Sequence, residues 1–397
     1  MPATPPTTPS PPIAFLSGGF RPFFLFGAIQ AAVSLALFVP WYLGFVAPPS
    51  LFPAPLWHAH ELLFGFVPAI LAGFLTTAVP NWTKRPPLVG SPLAGLVLLW
   101  LAGRIALLVA TKLGWLTTAL VDVAFLVVLA AWAAREIVAA GDRRNLKVVA
   151  WVILLALANG LFHWELERWG RTIWAERLGL AAVLALILVV GGRVVPQFTA
   201  NRLAARGDGL DLRRNPQLDV FAAWASGAAL LVWMVAGRWP VTGTPAALLL
   251  AVAGLANLLR LSGWRGLSVI GEPIVAVLHL GWLATTIGFF FAAAAEVRPD
   301  LVPSAAAIHL WTTGAIGVFT LAIMTRASRG HTGRPLVAGG PTTALYTFIL
   351  VAAAARVVVA LRPDWTLPGL PVAGLAWIAA YLGFAGLHAG MLLRTRC

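Results

Sequence analysis

Seven histidines and a single cysteine, Cys397, make imidazole the main nitrogen or sulfur ligand this chain has to offer. One terminal cysteine excludes a disulfide framework and a thiolate metal cage. Neutral imidazole suits zinc, copper, iron and haem, so the histidine positions are where the chemistry is to be sought. His58 and His60 stand in the tract Trp57-His58-Ala59-His60-Glu61, with His163, His279 and His309 far away in sequence. Residues two apart on a helix point about 200° from each other. His58 and His60 therefore address two different sites unless that turn is frayed. Glu61 lies one turn from His58, either as a carboxylate supporting a ligand or as a first-turn acid favoured by the helix dipole.

A second set of groups is basic. His331 falls in Arg326-Ala-Ser-Arg329-Gly-His331-Thr-Gly-Arg334, too far along a helix from His309 to share an ion with it. With Gly191, Gly192, Arg193 and Pro196 this stretch can form a pocket for propionates, lipid phosphate or another anion, or its charges can simply set topology. Arg104 and Asp122 read as a structural ion pair on adjacent helices, remote in sequence from the histidines. His388 has no partner in sequence and reads as structural.

The elements that must position these groups are membrane helices. The chain is 60% hydrophobic and 11% charged, against about a quarter charged for a soluble domain. Continuous apolar runs of about 20 residues recur throughout, which fixes an all-α, polytopic class and excludes a barrel. Twelve spans are expected at about 22–45, 57–79, 92–111, 116–138, 147–169, 173–195, 217–237, 244–261, 269–294, 304–326, 341–361 and 368–393. Residues 1–15 read as a disordered tail and 16–397 as one membrane domain. A polar stretch from Arg193 to Gln217, with a loop at about 196–216, divides it into two sets of six helices with no repeat between them.

The net charge of +14 does not imply nucleic acid, because the basic residues sit at span ends. They concentrate in the even-numbered connections, for example Lys84 and Arg85, Arg143 and Arg144, and Arg213 and Arg214. The positive-inside rule then places both termini in the cytoplasm. Under that topology His58, His60, His163 and His309 lie towards the outer leaflet. His279 lies close to the midplane and His331 on the inner face. Trp57, Trp82, Trp164, Trp169 and Trp174 read as interfacial anchors. An isolated intramembrane histidine is ordinarily a packing residue, but four or five in one layer point to a metal or haem centre.

The tracts SGGFRPFFLFG, PLWHAHELLFGF, TAVPNWT, RRNLKV, NGLFHWE, GGRVVPQFT, GEPIVAVLHLGW and HLWTTGAIGVFTLAIMTRASRGHTGRP resemble the NnrS family of bacterial membrane proteins, from Ser17 to Pro335. The resemblance implies twelve spans, bound haem and copper, and a role in nitric oxide metabolism or resistance to nitrosative stress. Its histidine motifs match at His58, His60, His163, His279, His309 and His331. The chain lacks the adjacent His-His pair and the His-to-Tyr spacing of haem-copper oxidases, and Tyr42, Tyr346 and Tyr381 are near none of the candidate ligands. Sensor, scavenger and redox enzyme of nitric oxide or iron-nitrosyl species stay open. So do a twelve-helix secondary transporter and an assembly factor that hands cofactors to another complex.

Overall fold

The computed structural model describes residues 14–46, 50, 52–172, 174–209, 211–236 and 243–394. Most of the tail, residues 1–13, lies outside the described residues, as do Arg238, Arg396 and Cys397; a short turn, Ala14–Leu16, begins the described chain. Among the described residues there are no strands, and twelve helices are long and apolar enough to span a membrane. They are α1 Phe20–Tyr42, α2 Ala54–Thr83, α3 Gly90–Leu108, α4 Trp115–Ala139, α5 Arg143–Trp169 and α6 Ala175–Arg206. The second six are α7 Pro216–Val235, α8 Gly243–Gly263, α9 Pro273–Val297, α10 Ser304–His331, α11 Gly340–Leu361 and α12 Pro363–Leu393.

Several helices outrun the expected spans, and α2, α6 and α10 do so at their C-terminal ends, running on to Thr83, Arg206 and His331. Helix α6 is 32 residues long and ends only where Gly207 takes φ +70, so the expected loop at 196–216 is helical for its first half. Its last turns are polar but contain nothing that stops a helix before that glycine. Pro196 is tolerated inside it, as prolines are where neighbouring helices support the backbone. Helix α7 then starts cleanly. The Asn215 side chain accepts from the backbone N–H of Gln217 (2.9 Å) and Leu218 (3.2 Å), and Pro216 holds the first helical position.

The order of the bundle is threefold. Helix α4 packs on α5, α8 on α9 and α12 back on α1, so three units of four helices close into a ring. The second helix of each unit, α2, α6 and α10, faces the common axis. Their axial positions match in sets with the same offsets along the chain: Val67, Val183 and Ile316; Ile70, Leu186 and Phe319. Nearer the end that bears the even-numbered connections, here the even face, the sets become Thr77, Arg193 and Arg326, then Asn81, Gln197 and Gly330. The same register aligns Pro80-Asn-Trp-Thr83 with Pro196-Gln-Phe-Thr199, and Thr83 and Thr199 with Thr332. A register that relates every fourth helix is not visible when two halves of six are compared.

Ring closure brings both ends of the described chain to the even face. The Arg21 guanidinium donates to the carbonyl oxygens of Met391 (3.0 Å), Leu392 (3.1 Å) and Arg394 (3.0 Å), which satisfies carbonyls that the end of α12 leaves open. At the opposite, odd face, Glu165 is buried and its carboxylate accepts from the backbone N–H of Trp174 (3.0 Å) and Ala175 (3.3 Å). It caps the start of α6 as well as sitting among the odd-face arginines.

Candidate metal centre

The register that aligns the three axial helices also aligns His60, Glu176 and His309. Helix α2 is α-helical through His60 and then passes into a π-helical turn, Glu61–Phe66; α10 does the same after His309, over Leu310–Gly317. Each turn contains a glycine at the same place, Gly65 and Gly314. Widening by one residue rotates everything beyond the histidine relative to it, which is why such turns recur at functional sites. The freed carbonyl of Gly65 is taken by the Trp100 indole N–H at 2.9 Å.

His60 points between α4 and α5 and is fully buried. Its Nε2 lies 3.1 Å from Asp122 Oδ2 and 3.0 Å from Asn159 Oδ1, so in this state Nε2 carries the proton and donates. His163 Nε2 lies 3.0 Å from the same Asp122 oxygen, and Asn159 Nδ2 donates to it at 2.8 Å. The other Asp122 oxygen accepts from Arg104. The second arm of that guanidinium donates to Glu61 Oε1 at 2.9 Å, and Gln30 donates to Glu61 Oε2. Five helices thus contribute to one polar cluster inside an apolar bundle. Phe64 and Phe162 wall it off, with ring centroids 5.4 and 4.9 Å from that of His60.

Two carboxylates against one guanidinium leave the cluster one positive charge short. Burying such an imbalance is costly, and a proton on Glu61 or on an imidazole, or a bound cation, removes it. One ligand atom each from His60, Asp122 and His163 lies within 4.8 Å of the others. The N–O separations of 3.0 and 3.1 Å are close to the roughly 3.3 Å between ligands held at about 2.0 Å in a tetrahedral site. Two imidazoles and a carboxylate form a donor set that copper, iron or zinc accepts. The residues fit a transition-metal ion.

His58 leaves α2 on the other side, as the two-residue spacing requires. Its ring is stacked on Phe38 with centroids 4.0 Å apart and planes at 15°, and its buried Nδ1 has no hydrogen-bond partner among the described residues. It shares with His309 a cavity of about 300 Å³ between α1, α2, α6, α10, α11 and α12. The lining is mostly apolar, with Arg356 and Arg177 among its polar members. Arg177 is engaged by the carbonyls of Trp233 (2.6 Å) and Ala236 (2.5 Å), whereas Arg356 makes no ion pair among the described residues. Two imidazoles from separate helices, an apolar slot and an available guanidinium fit a tetrapyrrole that carries carboxylates.

The remaining histidines are elsewhere. Helix α9 begins at Pro273 and not near 269, so His279 sits only about 9 Å along it at 1.5 Å per residue, towards the even face and off the expected midplane. Its Nε2 lies 2.8 Å from Thr199 Oγ1, and it joins neither histidine group. His331 lines an even-face cavity with Arg193 and Arg326. Arg329 is turned to the carbonyl of Pro335 at 2.7 Å, and neither it nor Arg334 lines that cavity. His388 Nδ1 lies 3.2 Å from the Phe384 carbonyl, a packing role. Trp57 is buried against Trp41 and is no interfacial anchor, while Trp164 and Trp169 are exposed.

The model of the family described as NnrS protein matches residues 14–396. The chain belongs to the NnrS family. The match runs beyond Pro335, through α11 and α12, which the motif tracts alone did not reach. No curated protein matches the chain. Membership supports a nitric-oxide-associated membrane protein, and in this NnrS-family chain the two histidine groups are the features with chemistry to offer.

Several residues of the sites carry no histidine signal. Asp122 and Arg104 do pair, but they belong to the His60 and His163 cluster instead of standing apart from it. Asn159 precedes His163 by one helical turn, a spacing that puts both on one face. Gln30 and Arg356 are polar interruptions in otherwise apolar runs, the type of residue a membrane helix retains for a reason.

Proposed function

We propose that this chain is a haem- and copper-binding protein of the bacterial inner membrane, with cytoplasmic termini, that acts on nitric oxide or iron-nitrosyl species in nitric oxide metabolism or resistance to nitrosative stress. The observation that carries the reading is the divergence of His58 and His60 from one helix. His58 goes to the cavity shared with His309, and His60 to the cluster with Asp122 and His163. In this assignment His58 and His309 hold haem, with Arg356 for a propionate, and His60, His163 and Asp122 hold copper. Reduced haem iron and copper both bind nitric oxide, which is the chemistry these groups supply when bound.

The protein's own part is positional. Asp122 orients both imidazoles, Arg104 holds Asp122 and Glu61 in place, and the aromatic wall keeps water out. Helix α2 carries a residue of each site, His58 and His60.

The deciding experiment is the haem absorption band and copper content of the purified protein beside single alanine variants. His58→Ala and His309→Ala should lose the haem band and keep copper; His60→Ala and His163→Ala should do the reverse. Wild-type protein with neither group overturns the reading.

A further inference from the structure

The even-face end of the threefold axis opens into a cavity of about 610 Å³ that the proposed chemistry does not use. Its polar lining includes Thr77, Arg193 and Arg326 at one level and Asn81, Gln197 and His331 at the next, together with Asn145, and among the described residues no carboxylate lies on its wall. Neither arginine has an ion-pair partner among the described residues. Arg326 lies over the Phe198 ring, 3.6 Å from its centroid, and Arg193 has Arg144 and Lys147 as charged neighbours. Both guanidiniums are only half-exposed, so their charge is neither cancelled by protein nor fully hydrated. Topology alone asks only for charge outside the hydrocarbon. It does not explain two arginines turned inward at matching positions of α6 and α10.

We infer that this cavity binds one anionic phospholipid, its phosphate held by Arg193 and Arg326 and its acyl portion along the apolar wall formed by residues such as Phe24, Phe74 and Leu336. A planar guanidinium pair suits a phosphate, and amide groups at Asn81 and Gln197 can serve the rest of a headgroup. The cavity is far larger than a free oxyanion needs, and most of its lining is apolar, which selects an amphiphile. Its place at the end of the bundle is where headgroups lie.

The test uses the full chain purified in detergent. Lipid extraction and mass spectrometry should find an anionic phospholipid retained by wild type and by Arg213→Gln, an exposed even-face control. Retention should fall at least about tenfold in Arg193→Gln/Arg326→Gln. Arg193→Lys/Arg326→Lys should restore part of it and, with the unchanged melting of Arg213→Gln, show that charge and not folding is being read. After delipidation, phosphatidylglycerol should raise the melting temperature, while phosphatidylcholine and inorganic phosphate should not. Equal retention by the double glutamine variant overturns the proposal, as does stabilisation by inorganic phosphate to the same extent. A haem band lost from that variant would place a tetrapyrrole here and overturn both this site and the odd-face haem assignment.

Discussion

Asp122 Oδ2 lies 3.0 Å from His163 Nε2 and takes the His60 imidazole on the same oxygen, so one carboxylate atom collects two histidines from different helices. An amide there presents one acceptor and one donor, and cannot serve both imidazoles and Arg104 together. Asp122→Asn should lower copper retention by more than the roughly tenfold that loss of a ligand's supporting partner costs, because Asp122 is itself one of the three proposed ligands, and should leave the haem band unchanged. Metal analysis after dialysis and the visible spectrum of the same sample check it. Unchanged copper would remove Asp122 from the site.

Gly65 tests the π-helical turn. A methyl group added there would lie 3.0 Å from Arg104 Cζ and 3.2 Å from Glu61 Oε2, inside a cluster that has no room to move apart. Overpacking of this kind costs about 1–3 kcal/mol, and here it would also push Arg104 off Asp122. Gly65→Ala is expected to lower the melting temperature and the copper content together. Gly314→Ala meets Leu310 Cδ1, Ala284 Cβ and Ala353 Cβ, at 3.2, 3.3 and 3.9 Å and none of them in the copper cluster, and should be milder on both measures. Equal behaviour of the two variants would sink the argument.

The twelve helices were legible because a span is a property of length and hydropathy, which the chain shows directly. What a sequence does not show is azimuth. The sequence pairs Arg104 with Asp122 on adjacent helices but keeps them apart from His60 and His163, because chain position does not say which way a side chain turns. Asn159 and His163, a turn apart, were the available sign that α5 carries a polar face. The overrun of α2, α6 and α10 was hidden because their final turns are polar yet helical, so hydropathy ends before the helix does. The threefold order left only a few residues in register, among them Thr83, Thr199 and Thr332, too sparse to see until the helices face one axis.

His279 discriminates between membership by motif and membership by geometry. It is matched by a family motif, yet it hydrogen-bonds Thr199 and approaches neither histidine group. His279→Ala should retain both haem and copper at wild-type stoichiometry, with a stability loss of about 1–2 kcal/mol from the lost hydrogen bond and packing. Thermal unfolding beside cofactor analysis separates the two effects. Loss of either cofactor without a fall in melting temperature would place His279 in a site after all.

Arg356 carries the strongest expectation at the haem cavity. It lines the same space as His58 and His309, lies in the apolar run of α11, and makes no ion pair among the described residues. A half-buried guanidinium without an acid is stabilised by any carboxylate that enters the cavity, and a hydrogen bond to a charged group contributes about 1.5–3 kcal/mol. Arg356→Gln should therefore speed haem transfer to apomyoglobin by roughly ten- to a hundredfold, since each 1.4 kcal/mol is a factor of ten. Arg356→Lys keeps the charge but not the fork, and should fall between. Copper at His60 and His163 should not change in either variant, because Arg356 lines the other site. A transfer rate equal to wild type in Arg356→Gln would leave the guanidinium without a role in holding the carboxylate, and would turn attention to Arg177 across the cavity.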